Sequence, residues 1–260
     1  MSHHRIALLL EYDGSEFSGS QLQAGRRTVQ GVLEEAVWSF TGERHRAAFA
    51  GRTDAGVHAS GQVAAVDVPL ERDAGTVRRA LNHFLPNDVV VRAASEAPAG
   101  FDPRRRATGR TYRYVIEDGI ERSPLGRRGA WQVPHSLDEA SMARAAASLP
   151  RTPIDWAAFA GSVPAGYPTV RTVRLVSVGR CGPHRIEVVM EADGFLPHQV
   201  RRTVGALERV GRGKLDAELF VCLLEGAPSS VGPAAPPQGL ELRAVQYPAG
   251  MLRWDEETAV

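Results

Sequence analysis

The first hundred residues alternate between the two-residue period of a strand and the 3.6-residue period of a helix. Apolar residues dominate positions 5–12, and they recur at helical spacing over 29–40. Thr28 is placed to cap that helix and Gly42 to end it. The remaining elements predicted here are strands over 46–50, 62–68 and 89–94 and a helix over 76–85. The order β-α-β-β-α-β is that of the split βαβ unit.

A basic segment follows, and then the same order of elements recurs. The pattern predicts, in chain order, a strand over 111–116, a helix over 137–149, a hairpin of 170–179 and 185–191, helices over 198–210 and 216–224, and a strand over 240–246. Gly182-Pro183 supplies the hairpin turn, and Ser136-Leu137-Asp138-Glu139 has the form of a capping box. The Pro-rich stretch 228–237 is predicted to be a loop.

These patterns predict an α+β fold of two ferredoxin-like (βαββαβ) halves. Residues 1–103 would form the N-terminal domain, and residues 104–260 the C-terminal domain with the basic segment and a C-terminal tail. We expect the halves to join into a mixed, mostly antiparallel sheet with helices on one face.

Composition narrows the functional class. With 43% hydrophobic residues in 260, the chain can bury one or two cores. No apolar run approaches the roughly 20 residues of a membrane span, and the N-terminus shows no signal-peptide core, so we expect a globular cytoplasmic protein. Cys181 and Cys222 lie far apart, which predicts neither a disulfide framework nor a cysteine-based zinc site.

Charge is informative through its distribution. The formal net charge is only +1, and among 31 basic residues Lys214 is the single lysine. Basic residues cluster in two regions: Arg104, Arg105, Arg106, Arg110, Arg113, Arg122, Arg127 and Arg128, and then Arg201, Arg202, Arg209, Arg212 and Lys214. Such clusters can follow a phosphate backbone, since surface fields act locally. A general preference for arginine over lysine would produce the same clusters without any RNA.

The segment Gly51-Arg52-Thr53-Asp54-Ala55-Gly56-Val57-His58-Ala59 places a carboxylate between two glycines, directly after a short apolar strand. Glycine allows positive φ and close approach to a ligand, so this loop can present Asp54 to a substrate. An Asp beside Gly is also a common turn former that bonds its own backbone. His58 follows four residues later, but no third ligand lies at a usable spacing, so we predict no metal site here.

This segment resembles the signature of the tRNA pseudouridine synthase A (TruA) family. Further segments similar to that family follow in family order at 11–14, 28–30, 82–88, 101–104, 110–114, 198–201 and 239–248, so the resemblance spans residues 5–248. It implies isomerisation of uridine to pseudouridine in the anticodon stem-loop of tRNA, at positions 38 to 40. It also implies a cofactor-independent enzyme and a homodimer with RNA lying across both subunits.

The resemblance implies roles for three catalytic residues. Asp54 matches the catalytic carboxylate, and Arg201 matches the arginine that pairs with it, since a nearby guanidinium favours the ionised form. Tyr112 matches the tyrosine that stacks on the uracil and takes part in removing the C5 proton. Taken alone, Arg201 could equally be a solvated helix arginine and Tyr112 a core tyrosine. Alternation places Tyr114 on the same face as Tyr112, so periodicity does not distinguish them.

Two further residues are expected to bind substrate. By resemblance, Arg52 helps to extrude the target nucleotide, a step that costs a few kcal/mol. His58 is expected to be structural or to contact RNA. The chain departs from the family at Ser20, where many members carry Trp, and at Pro197, where a second His is common. These changes leave Asp54, Tyr112 and Arg201 intact but put the packing near the site in doubt.

Two other functional classes compete with this interpretation. A non-catalytic RNA-binding protein would keep the arginine clusters and need no Asp54, although the chain lacks the aromatic pattern of an RRM. A nucleoside or glycoside hydrolase would pair Asp54 with Glu11 or Asp13 as its two carboxylates. The combination of Arg52, Asp54, Tyr112 and Arg201 favours the isomerase.

Overall fold

The computed structural model describes residues 3–69, 71–119 and 121–254. The chain divides into two compact units, here called unit 1 (the described residues of 3–108 and 242–254) and unit 2 (the described residues of 109–241). The predicted α+β class with mostly antiparallel pairing is confirmed. Within the described ranges, no helix combines the length and apolarity needed to cross a bilayer.

Up to residue 108 the strands and α-helices follow the predicted order, whereas the rest of the chain contains short strands at 131–133 and 154–155 that were not predicted. In chain order the strands and α-helices are β1 His3–Tyr12, α1 Val29–Thr41, β2 Ala48–Phe49, β3 His58–Pro69, α2 Ala74–Phe84, β4 Val89–Glu96, β5 Gly109–Asp118, β6 Trp131–Val133, α3 Glu139–Ser148, β7 Ile154–Asp155, β8 Val170–Arg171, β9 Val173–Gly182, β10 Arg185–Ala192, α4 Gln199–Gly211 and β11 Leu240–Gln246.

Unit 1 is built on the strand order β4-β1-β3, with β2 and β11 also paired to β3. Strand β1 runs antiparallel to β3 from His3 opposite Pro69 to Tyr12 opposite Ala59. Both predicted helix boundaries of α1 are confirmed: the Thr28 side chain accepts from the Gly31 amide, and Gly42 adopts φ 75°. The strand predicted over 46–50 is shorter than expected, because only Ala48–Phe49 pairs with β3.

The segment after β11 packs on unit 1. The Tyr247 hydroxyl donates to the Pro103 carbonyl at 2.7 Å, and the Arg253 amide donates to the Ser95 hydroxyl at 2.9 Å. Tyr247 also packs against a small cluster formed by Ala7, Ala65 and Phe101. Residues more than 140 positions apart in the chain therefore share this part of the core.

Unit 2 contains the antiparallel order β5-β10-β9, with β6 parallel to β5. Asp118, at the end of β5, is 1% exposed and accepts from both terminal nitrogens of Arg180 at 2.8 and 2.9 Å and from the Leu137 amide at 2.8 Å. The Arg180 hydrogen bonds hold the pKa of the Asp118 carboxyl below its usual value. The buried Asp118 carboxylate thus joins the end of β5 to the segment that precedes α3.

Two sequence predictions in unit 2 are wrong. The predicted capping box does not form, because Asp138 is the N-cap of α3 and accepts from the Ser141 amide at 3.0 Å. The helix predicted over 216–224 is absent, and only a 3₁₀ helix, Val221–Glu225, occurs there. That short helix buries none of its residues, so no apolar face stabilises a longer one.

Candidate active site

The backbone that leads into the Asp54 loop is fixed by a buried amide. Gln62, on β3, is fully buried, and its side chain donates to the Gly51 carbonyl at 2.8 Å and accepts from the Gly51 amide at 3.2 Å. The Ala50 amide donates to the Val63 carbonyl at 2.8 Å. After Ala50 the chain leaves β3. The Gln62 side chain then provides the hydrogen bonds to Gly51 that the β3 backbone no longer provides.

Ser20 and Tyr12 hold the next part of the loop through Thr53. The Thr53 amide donates to the Ser20 hydroxyl at 2.9 Å, and the Ser20 amide donates to the Thr53 carbonyl at 3.0 Å. The Thr53 and Tyr12 hydroxyls lie 2.8 Å apart, and all three residues are buried. The question raised by Ser20 in place of the common Trp therefore has a structural answer, since its hydroxyl is an anchor for the loop.

The buried support of this loop is uncharged. Burial raises the pKa of Tyr12 to about 12, and its hydrogen bonds to Thr53 and Gln62 oppose that shift. The phenol therefore stays protonated at neutral pH and can form hydrogen bonds with both Thr53 and Gln62. Together, Tyr12, Ser20, Thr53 and Gln62 form what we call the loop anchor.

Asp54 lies where the chain leaves this anchor. It is partly exposed, between buried Thr53 and exposed Ala55. The Val57 amide donates to the Asp54 backbone carbonyl at 3.1 Å, and Gly56 has φ 79°. A main-chain hydrogen bond therefore closes the turn, and a residue with a side chain at position 56 would strain the backbone.

Close backbone packing also constrains the loop from the side. A Cβ on Gly19, which has φ 93°, would lie 2.9 Å from the Thr53 carbonyl oxygen, and one on Gly14 would collide with the Val57 carbonyl. His58 extends this contact, since its Nδ1 accepts from the Gly14 amide at 3.1 Å. Asp13 Oδ1 also lies 3.2 Å from this nitrogen, whereas Nε2 of the ring is buried without a hydrogen-bond partner among the described residues.

The two candidate tyrosines of β5 occupy different environments. Tyr114 is fully buried, and its hydroxyl donates to the Pro236 carbonyl at 2.7 Å. Burial raises the pKa of Tyr114 far above its usual value, although the charge of Arg201 acts in the opposite direction. Tyr112 is 9% exposed, and its ring meets Phe195 edge-on at 5.3 Å. Tyr114 therefore has a clear structural role in the core.

Arg201 is half-buried on α4 and is braced by the Pro-rich loop. Its Nε donates to the Ala235 carbonyl at 2.7 Å, while the Ala235 amide donates to the Arg201 carbonyl at 2.9 Å. Gly205 permits this packing, because a Cβ there would lie 2.6 Å from the Pro233 carbonyl oxygen. The loop thus fixes one edge of the guanidinium.

The arginine clusters contain two kinds of residue. Several are bound within unit 2: Arg113 pairs with Glu187 and Glu241, and Arg110, Arg202 and Arg209 donate to the carbonyls of Asp193, Ser229 and Val231. Eight others are exposed, and two of these also form ion pairs, Arg105 with Asp102 and Arg212 with Glu208. The eight are Arg104, Arg105, Arg106, Arg122, Arg127, Arg128, Arg212 and Lys214. Sequence alone overstates the number of cations available to an RNA backbone.

The predicted site residues are distributed over both units. Arg52, Asp54 and His58 belong to unit 1, whereas Tyr112 and Arg201 belong to unit 2. Arg52 is exposed beside the buried Thr53.

Sequence reasoning missed the loop anchor. The available signal was a polar side chain, Gln62, at the start of the largely apolar run 62–68. Ser20 was singled out only as a departure from a motif, and Tyr12 only as the end of a strand and as part of the segment 11–14 that resembles the family.

Comparison with known proteins decides the family. A family model described as tRNA pseudouridine synthase matches residues 9–104 and 154–248. The chain belongs to the tRNA pseudouridine synthase family. The matched stretches include the Asp54 loop and Arg201, whereas Tyr112 lies between them.

Curated relatives cover nearly the whole chain. A protein of Roseiflexus sp. (strain RS-1) named tRNA pseudouridine synthase A is 45% identical over 94% of this chain and 90% of its own length. Proteins of the same name from Chloroflexus aurantiacus (strain ATCC 29366 / DSM 635 / J-10-fl) and Geobacter sulfurreducens are 42% and 43% identical, over 96% and 93% of this chain and 91% and 99% of their own lengths. This chain is therefore similar to full-length isomerases of the family.

Proposed function

We propose that this protein isomerises uridine to pseudouridine in the anticodon stem-loop of tRNA, at positions 38 to 40, without a cofactor. The observation that carries the proposal is the 42–45% identity to proteins named tRNA pseudouridine synthase A over more than nine-tenths of the chain. The positions and the absence of a cofactor are what the family resemblance implies.

The reaction conserves its atoms and involves no net oxidation. The N1–C1′ bond breaks, the uracil turns, C5 joins C1′, and the proton on C5 is removed while N1 regains one. It needs a carboxylate near C1′, a cation that keeps the carboxylate ionised, a surface for the detached base, and a proton acceptor near C5.

Asp54 is the proposed carboxylate, as nucleophile or as base at the sugar. Its support is the loop anchor, which fixes the residues on its N-terminal side through buried hydrogen bonds to Gly51 and Thr53. A carboxylate that is positioned before substrate arrives loses less freedom in the reaction.

Tyr112 is proposed to stack on the uracil and to help remove the C5 proton. Tyr112 is chosen over Tyr114 because the Tyr114 hydroxyl already donates a hydrogen bond to the Pro236 carbonyl. Arg201 is proposed to keep Asp54 ionised. Its bond to the Ala235 carbonyl fixes one edge of this planar, permanently charged group.

Arg52 and His58 are proposed as substrate contacts. Arg52 is exposed at the start of the Asp54 loop, where a guanidinium can occupy the space of a flipped nucleotide or hold its phosphate. The His58 side chain is 16% exposed and is proposed to contact RNA next to the Asp54 loop.

The hydrolase alternative is weakened by the positions of its candidate carboxylates. Glu11 forms a two-point ion pair with Arg92, at 2.8 Å for each contact. Asp13 caps the 3₁₀ helix Gly14–Glu16 by accepting from the Ser15 amide at 2.9 Å. Both carboxylates have structural partners, so neither is placed as a second catalytic acid.

The test uses purified protein and an unmodified tRNA transcript that contains 5-tritiated uridine. We expect tritium release, and mass mapping should place pseudouridine at positions 38 to 40. Turnover should not change in EDTA when the tRNA stays folded, because no step needs a Lewis acid. Binding of tRNA without tritium release would instead favour the non-catalytic RNA-binding class.

We also propose a cytoplasmic homodimer that binds tRNA through the arginines of both copies. The exposed Arg104, Arg105, Arg106 and Lys214 are proposed to contact phosphates. Affinity should fall steeply with salt as several contacts release counterions together. Light scattering at micromolar concentration and binding at 50 and 200 mM salt test this arrangement. An active monomer, or affinity that does not depend on salt, would refute it.

A further inference from the structure

Two histidines and one glutamate of unit 1 converge on a single point, away from the Asp54 loop. His3 opens β1, whereas Glu43 and His45 follow the end of α1. Glu43 Oε2 lies 2.7 Å from His3 Nε2 and 3.0 Å from His45 Nε2, and the two imidazole rings are 4.9 Å apart. One donor atom from each residue lies within 4.8 Å of the others.

The convergence is built into the backbone. Gly42 ends α1 in the left-handed conformation, and the Glu43 amide then donates to the Thr41 hydroxyl at 3.1 Å. That hydroxyl donates in turn to the Val37 carbonyl, one turn earlier in α1, at 2.8 Å. The backbone at Glu43 is therefore anchored to the helix.

Nearby charge does not oppose a cation. The side chain of Arg44, between the two ligand positions, lies over the Trp38 ring at 4.6 Å and within 3.9 Å of Glu35.

We propose that His3, Glu43 and His45 form a binding site for Zn²⁺, with water completing the coordination. Two imidazole nitrogens and a carboxylate oxygen are a zinc donor set, whereas Mg²⁺ and Ca²⁺ prefer oxygen ligands. Metal-ligand distances of about 2.0–2.2 Å require donors about 3.3 Å apart in a tetrahedral site, so only a small opening is needed.

The side chains are partly buried, with 28%, 36% and 20% exposed for His3, Glu43 and His45. This leaves room for water on the open side and for exchange with solvent. Because His3 and Glu43 are 40 positions apart, no spacing in the sequence indicates the site. Zinc here would tie the start of β1 to the end of α1.

Zinc binding to the metal-free full chain, followed by titration calorimetry in a non-chelating buffer, tests the site. We expect one micromolar-range site per chain. Glu43→Gln and His45→Asn should each weaken it at least tenfold, while His4→Asn should leave it unchanged. His4 is a matched control, since it neighbours His3 but bonds the Arg72 carbonyl.

A thermal shift gives an independent readout. Zinc should raise the melting temperature of the wild-type chain and of His4→Asn, but not that of Glu43→Gln, and circular dichroism should show that each variant is folded. Failure of the wild type to bind zinc at micromolar concentration, equal binding by the ligand variants, or equal loss in His4→Asn would overturn the proposal.

Discussion

The proposed catalytic groups of the two units are held in different ways. In unit 1, Asp54 sits on a loop, and the loop anchor of Tyr12, Ser20, Thr53 and Gln62 fixes the backbone before it. In unit 2, Tyr112 belongs to a regular strand and Arg201 to a regular helix. Backbone hydrogen bonding and the packing of β5 and α4 therefore determine where these two side chains lie.

The difference shows where supporting residues are needed. The backbone of a helix bonds within the helix and that of a strand bonds to the neighbouring strands, whereas a loop must find partners for its amides and carbonyls elsewhere. We therefore expect substitutions in the loop anchor to reduce catalysis through Asp54 without contacting the substrate. In unit 2, only the side chains that contact substrate should have large effects.

The largest effect is expected at Asp54 itself. Asp54→Asn removes the reactive anion and keeps the shape, so turnover should fall at least about a thousandfold, corresponding to about 4 kcal/mol. Affinity for tRNA should stay within several-fold of wild type, measured by filter binding. A purified variant that retains more than about a thousandth of the wild-type rate would exclude Asp54 as the catalytic carboxylate.

In unit 2, the two tyrosines of β5 give a matched pair. Tyr112→Phe keeps stacking and removes the phenol, so tritium release should slow about a hundredfold while tRNA binding persists. Tyr114→Phe loses its bond to the Pro236 carbonyl and should cost about 1 kcal/mol of stability with near-normal turnover. Equal effects on tritium release would contradict the assignment of Tyr112.

Gln62→Leu tests the loop anchor in unit 1. It leaves the Gly51 amide and carbonyl without their side-chain partner, a penalty of about 1–3 kcal/mol for a buried group. Because Asp54 would then be held less well, we expect kcat to fall about tenfold, with KM changing less. Gln23→Leu, at an exposed glutamine that bonds the Ser18 carbonyl, is the control and should be neutral. If both variants behave alike, the anchor does not position Asp54.

The smallest effect is expected at Ser20. Ser20→Ala removes the acceptor of the Thr53 amide but leaves the main-chain bond from the Ser20 amide to the Thr53 carbonyl. Stability should fall by about 1 kcal/mol and turnover by only a few-fold. Denaturant unfolding and steady-state kinetics measure the two effects. Unchanged stability would show that water replaces the hydroxyl.

The sequence predicted much of the fold because strand patterns and the caps of α1 depend on residues that are close together in the chain. Thr28 and Gly42 act within one helical turn of the backbone that they cap or end, so their roles were visible in the sequence. The predicted helix over 216–224 is absent because its apolar residues, apart from the buried Phe220, are only partly buried or exposed and give no continuous buried face.

The sequence by itself determined the order of elements, the glycine-flanked Asp54 loop and the membership of a family. Only the tertiary structure decided that Tyr114 is committed to the core, that Ser20 and Gln62 anchor the loop, and that Arg113 pairs with two carboxylates. The physical reason is the distance along the chain between the residues that interact. Periodicity and capping depend on residues a few positions apart, whereas these contacts join residues 11 to 128 positions apart, and packing alone brings them together.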